Sequence, residues 1–491
     1  MTPNWGVIQL KLRPEIEKCD LGHMFIWGLT RDWKKIMTAV HQARQPTRSS
    51  ALSPLAFWFV MGVACLGMLS GSSWAAGTSS SVKSSVVNGV VYLTSVSGGH
   101  TARIGLNTAW GGAIVEVSLD GVNYVNAHDS GREVQPALYD GAAPYTEFNC
   151  SPCRGTWGWD PVLGGDKYNH GSPVTAVTYG VNSVSVTTTA LEWNPDDKGG
   201  GPTTPVPSNV TMTQTVSVVA GSPLAFQVQV TMTHNGSEQR YLSNQEFPAV
   251  YVNSKYSRFS YYSGSKPWTN SAVTTLSAVP VSPGTGLLYS AEQWSAYTNS
   301  SNVGLTVYVP GQYPYIEAAS LPGTGGSGPT EDASVYSHSF APMTVGPKAV
   351  IQGTVYLIPG NATTARTVVN GLHSVLSNAD IAPPFGNVEA PAAGAKISGT
   401  SVPISGWAID NIAVASLNVL VDGVMIATPP VSIARPDVAA AYPHVASNNP
   451  GWVYYFDSTL VANGSHAITV QITDSSGNKS LLAPVNVLVS N

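Results

Sequence analysis

Charge is scarce in this chain. Asp, Glu, Lys and Arg make up 10% of the 491 residues, while Gly (48) and Pro (35) are abundant. That usage leaves little room for long helices and suits many short strands joined by turns. Basic residues are the scarcest resource once the first 75 positions are set aside. Eight of the 23 Lys+Arg and four of the 28 Asp+Glu lie there, which leaves 15 and 24 and a net charge of about −9. A surface of that sign repels phosphate backbones, so nucleic acid is not expected as a partner. The standard catalytic signatures are also missing: there is no G-x-S-x-G, no H-E-x-x-H, no Walker loop, and no G-x-G-x-x-G between a strand and a helix. Elbow hydrolase, zinc protease and nucleotide-using chemistry lose their basis, and no cofactor or metal is expected.

Cysteine is nearly absent. Of four, Cys19 and Cys65 fall in the first 75 residues, and Cys150 and Cys153 stand as Cys-Ser-Pro-Cys. Outside the cytoplasm this pair reads either as a disulfide stapling a loop or as free thiols; a zinc or redox site would need ligands or a βαβ setting that the sequence does not offer. The long apolar run is short too. Leu55 to Leu69 follows Arg44 and Arg48 and leads into Ser73-Trp74-Ala75, the layout of a secretory signal peptide. At 15 residues it falls below the roughly 20 that span a bilayer. Residues 1–75 are therefore expected to direct export to the periplasm or beyond, with a retained anchor or a lipoprotein at Cys65 as weaker readings, Met37 an alternative start, and no stable membrane span after cleavage.

What is present repeats every 8 to 15 residues. Val115, Val117 and Leu119 alternate before Asp120-Gly121, and Val122 with Tyr124 resume after it, which predicts a two-residue hairpin. Further strands are expected at 174–179, 183–189, 210–219, 224–233, 247–252, 304–309 and 349–357. One helix is expected at about 363–376, where Val368, Val369, Leu372 and Leu376 recur at helical spacing before Pro383-Pro384. The fold class is all-β: a large antiparallel β-sandwich at 86–380, a stiff linker at 381–391, and a smaller Ig-like sandwich at 392–491. In the last segment Asp422-Gly423 and Asn463-Gly464 both read as hairpin turns.

Two resemblances follow from particular motifs. Gly406-Trp407-Ala408-Ile409-Asp410, Val421-Asp422-Gly423-Val424, Arg435-Pro436-Asp437-Val438 and Asp474-Ser475-Ser476-Gly477-Asn478 resemble the bacterial Ig-like modules appended to secreted enzymes and adhesins. The order Gly111 to Gln135, Trp157 to Pro173, Asn244 to Asn253 and Glu292 to Gly311 resembles the galactose-mutarotase-like supersandwich of carbohydrate-active proteins. That resemblance implies a sugar-handling face, and its epimerase members use a Glu base with a His acid.

Scarce polar and aromatic residues gather in three places: Asn126 to Gln135, Trp157 to His170, and Glu192 to Lys198. Rings beside carboxylates suit a sugar, whose C–H faces stack while its hydroxyls take hydrogen bonds. Arg132, Trp157, Trp159 and Trp193 are the candidate substrate-binding residues, and Asp166, His170, Glu246 and Glu292 the candidate acids and bases. Each has a plainer reading: Arg132 fixing a turn with Asp129 or Glu133, tryptophans pinning a loop, Asp196 and Asp197 in a solvated turn, and Glu246 or Glu292 paired with Arg240 or Arg258. The function expected is an exported glycoside hydrolase or polysaccharide lyase acting on a polysaccharide or oligosaccharide. The alternative is a non-catalytic glycan-binding or surface adhesion protein.

Overall fold

The computed structural model describes residues 81–140, 159–279, 287–376, 379–444 and 447–491. The signal-like segment, Trp157, Cys150 and Cys153 lie outside the described residues.

Among the described residues, two antiparallel layers make the large sandwich. The first runs Ser81–Val87, Val90–Ser97, His100–Asn107, Ala113–Leu119, Val134–Ala137, Glu246–Asn253, Ser334–Ser339, Tyr315–Leu321 and Leu288–Tyr289 in spatial order. The second runs Val174–Tyr179, Ser183–Glu192, Pro207–Val219, Ser222–His234, Val350–Asn361, Val303–Tyr308, Trp294–Thr298, Arg258–Tyr261 and Thr274–Leu276. The short strand Pro161–Val162 pairs with both layers. Every strand expected from the sequence is found, because alternation of Val, Ile and Leu with Thr and Ser writes one buried and one polar face into each. Leu93, Ile104, Val117, Val134 and Val250 of the first layer meet Val186, Met212, Phe226, Val228 and Leu357 of the second in one buried core. Each such side chain contributes about 1.5–3 kcal/mol by leaving water.

The Asp120-Gly121 hairpin forms with φ of 50° and 79° at its two central residues, the left-handed pair that a type I′ turn requires. One residue upstream departs from simple alternation. Glu116 pairs with Gly105 and Ile114 with Leu106, so Val115 is an extra residue, and the bulge returns Ile114 and Val117 to the same buried face.

The helix spans Ala362–Val375, capped by Asn361, whose side chain accepts from the Thr363 N–H. Its Ala362, Ala365, Val369 and Leu372 pack on Tyr308, Tyr356 and Ile358, covering the outer face of the second layer. Among the described residues no helix is long and apolar enough to cross a membrane.

The C-terminal module is a second sandwich with its own core, built on Ile404, Leu417, Val419, Trp452, Ile468, Val470 and Ile472. Its sheets are Phe385–Ala390, Val402–Ile409 and Gly451–Phe456 against a larger one centred on Val414–Val421 and Gly464–Asp474. Asp422-Gly423 turns a hairpin between Val414–Val421 and Val424–Ala427 as expected. Asn463-Gly464 does not: it follows a short 3-10 turn and carries the chain from the edge of one sheet into the other, with the Asn463 side chain accepting from the Asn491 N–H. A second helix, Pro436–Ala441, also departs from the one-helix expectation; six residues begun by Pro436 are too few to show a helical period.

Candidate functional site

The outer face of the first layer is where polar residues are concentrated inside strands. In Glu246–Asn253, Val250 and Val252 enter the core, so Ala249 and Tyr251 face out. The register then fixes their neighbours. Tyr251 pairs with Tyr336 and Ala249 with His338 on one side, and Tyr336 pairs with Ala319 and His338 with Glu317 beyond that. On the other side Ala249 pairs with Gln135, and the Glu133 carbonyl accepts from the Tyr251 N–H. A row of Glu133, Tyr251, Tyr336 and Ala319 thus lies beside a row of Gln135, Ala249, His338 and Glu317. The Tyr251 and Tyr336 rings lie against each other with centroids 4.8 Å apart.

Glu246 joins this face through a hydrogen bond donated by the Tyr336 hydroxyl. Burial, with Glu246 and Glu317 nearby, raises the Tyr336 hydroxyl well above its ordinary value, so it remains a proton donor at neutral pH. His338 Nδ1 sits 3.0 Å from the Ser339 carbonyl and must carry a proton there, while Nε2 faces Glu317 at 3.4 Å. Burial works against a charged ring, but Glu317, Glu246 and the Ser339 carbonyl together outweigh it and raise the His338 pKa. The Asn244 amide donates to the same Glu317 oxygen at 3.4 Å. Glu133 is wholly buried, one oxygen accepts from Gln135 at 2.9 Å, and burial raises its pKa well above the carboxylate range.

The three polar clusters meet at the edge of this face. Gln135 donates to the Ser130 carbonyl and accepts from the Gly164 N–H; Ser130 donates to the Asp166 carbonyl and its N–H is taken by Asn169. Lys167 reaches Asn194 and Asp196, which ties in the third loop. Within this rim most side chains are committed to structure. Asp166 is fully buried and accepts from the Tyr168 and His170 N–H groups and from His170 Nδ1 at 2.7 Å. Arg132 pairs with Asp129. His170 is the partly open member of the pair it forms with Asp166.

Trp159 and Trp193 are packed rather than displayed. Trp159 donates to Asn209 under the Arg240 guanidinium, 4.9 Å from its ring, and Trp193 packs with Ala137 and Val162 and against Gly131, where a Cβ would come within 2.4 Å of the indole. Glu292 is on the opposite side of the sandwich, under the helix. Arg366 binds it twice, at 2.8 and 3.0 Å, and the Trp294 indole and the Trp268 N–H fill its remaining lone pairs. The sequence therefore did not bring Tyr336, His338, Glu317 and Tyr251 forward. The signal available was the strand Ser334–Ser339, where Tyr336 and His338 alternate with Val335 and Ser337.

Residues 384–470 match the family model of the bacterial Ig domain. No curated protein matches the chain. Among solved structures, a putative aldose 1-epimerase from Klebsiella pneumoniae is 11% identical, with 61% of this chain and 88% of that one covered at a TM-score of 0.33. A polysaccharide lyase is 10% identical over 79% of this chain and 46% of its own, at 0.29. The fibronectin(III)-like modules of Clostridium thermocellum CbhA are 14% identical over 21% of this chain and 94% of theirs, at 0.16. The C-terminal module, matched in sequence and folded as a separate sandwich, is a bacterial Ig-like domain.

Proposed function

We propose that this protein is an extracytoplasmic carbohydrate-active enzyme, of glycoside hydrolase or polysaccharide lyase class, that binds a glycan on the outer face of the first layer. The observation that carries the reading is the adjacency of Glu246, Tyr336, His338 and Glu317 on one sheet face. Acid–base chemistry on a sugar needs a group that takes a proton beside one that gives it. The Tyr336 hydroxyl, kept protonated by burial, gives its proton to the departing oxygen, while Glu246 takes one from the attacking water or the sugar carbon and returns it to the Tyr336 oxygen through the bond they share. His338 holds positive charge beside the face, where it stabilises negative charge that develops on a ring or exocyclic oxygen. Glu317 keeps that charge in place. Rigid strands carry all four, which suits a site that must hold its geometry.

The test is product chromatography of the purified protein on a panel of neutral and uronate-containing polysaccharides, beside the variant E246Q. The reading expects new products from at least one glycan and a rate about 10²–10⁴-fold lower in E246Q, the usual worth of a general acid or base. Glycan binding without products would favour the adhesion reading, and products formed equally by E246Q would remove this face from the chemistry.

A further inference from the structure

The rows of the candidate face continue towards the Ig-like domain. On the strand Tyr315–Leu321, Ile316 and Ala318 enter the core, so Tyr315 and Glu317 stand on the same outer side, two residues apart. The Phe340 N–H donates to the Tyr315 carbonyl on one flank, and Tyr289 pairs with Tyr315 on the other. Phe340, Tyr315 and Tyr289 therefore form the next row after that of His338 and Glu317. By strand rise and spacing, Tyr289 is roughly 8 Å from Glu317 in the plane of the sheet.

The Ig-like domain is seated on this row. Tyr442, directly after the helix Pro436–Ala441, places its ring 6.4 Å from both Tyr315 and Phe340 and 5.0 Å from Phe385. Arg435 anchors the start of that helix with two bonds to Glu389 and two to Asp437. Two residues past Tyr442, the His444 imidazole stacks on the Tyr289 ring, with centroids 3.6 Å apart and planes 14° from parallel. The His444 main-chain N–H points at the Tyr315 hydroxyl at 3.5 Å. Burial then divides the row: Tyr315 and Phe340 are buried, Tyr289 is half-buried and His444 is exposed. Removal of apolar area from water accounts for the buried rings. It does not account for an exposed imidazole laid flat on a half-buried phenol at the margin of a polar sheet face.

We propose that the Ig-like domain bounds the glycan face, and that the His444–Tyr289 ring pair is a distal subsite on which further units of the same glycan chain stack. The inference rests on the reading of the first layer's outer face as the glycan site. Ring faces suit the C–H faces of sugars, and ligand clefts form preferentially where two domains meet. One ring comes from each domain, so the subsite exists only while the domains are docked. The acid and base stay on the large sandwich, and the Ig-like domain selects for chain length.

The experiment compares the full-length wild type with H444A and H444F. Cello-, manno- and galacturono-oligosaccharides, from disaccharide to octasaccharide, are titrated by calorimetry, and kcat and KM are measured wherever products form. Wild-type affinity is expected to rise with length. H444A should lose about three- to tenfold in Kd or KM for the longer chains, the fold-change an aromatic contact is worth, with kcat, Tm and the shortest ligands unaffected. H444F, which keeps a ring, should restore the gain. Equal behaviour of H444A and wild type at every length overturns the subsite and leaves the reading of the face standing, as does a loss that is the same for short and long chains. If the wild type neither binds nor cleaves any member of the series, the reading of the face fails and the subsite falls with it.

Discussion

Glu246 and Glu292 stand in similar sequence surroundings, each next to Gln and within two residues of an aromatic, and the structure gives them opposite company. Glu292 accepts four hydrogen bonds, two of them from Arg366, in a fully buried setting. Removing the charge from one partner of such a pair leaves the other buried and unmatched, at a cost of about 3–5 kcal/mol. E292Q is therefore expected to lower Tm sharply in a chemical or thermal melt while the folded fraction keeps its specific activity; an unchanged Tm would show that the pair contributes nothing. The partner of Glu292 lay 74 residues away on the helix, a distance that no local pattern reports. His338 supplies the pH dependence. Its pKa is raised above 6.5, so the imidazolium–Glu317 pair is complete below that value and is lost as pH rises through the raised one. Activity that needs the charge should fall as pH rises through that raised pKa. E317Q should move that limb to lower pH, which a pH–rate profile measures, and a limb unmoved by E317Q would exclude His338 as its source.

At the scale of elements, the sequence was most informative where a single residue type has one structural use. Asp120-Gly121 names its turn because both positions need positive φ, and Pro383-Pro384 marks where the helix segment has ended. It was least informative where the same residues serve two purposes: Asn463-Gly464 suits a hairpin and an inter-sheet crossing equally, and Val115 looks like any other alternating valine although it is the bulge. The floor of the candidate site was illegible for a related reason. Its residues come from strands 134–137, 246–253, 315–321 and 334–339, brought together by register alone. The junction between domains shows how far elements couple. Phe385, the first residue of the Ig-like domain's opening strand, meets Tyr313, Phe340, Trp407 and Tyr442 at ring-centroid distances of 5.0 to 5.8 Å. Truncating a buried Phe to Ala costs about 3–5 kcal/mol. F385A should convert a single calorimetric unfolding transition into two, and an unaltered single transition would mean that the aromatic contact does not couple the domains.

For the whole molecule, the two outer faces of the large sandwich differ in kind. The second layer is covered by its helix and sealed by the Glu292–Arg366 pair. The first carries carboxylates, tyrosines and an imidazole in adjacent rows, edged by the three polar loops. The Ig-like domain contributes Asp410, Asp474 and aromatic residues to the junction but none of the residues of that face. The central claim is therefore about location, and a crystal structure of the E246Q variant with a bound oligosaccharide tests it most directly. The sugar is expected against the outer face of the first layer, within hydrogen-bond distance of the Tyr336 hydroxyl and the residue 246 side chain. A sugar seated instead on the Ig-like domain, or on the helix-covered side near Glu292, would contradict the account.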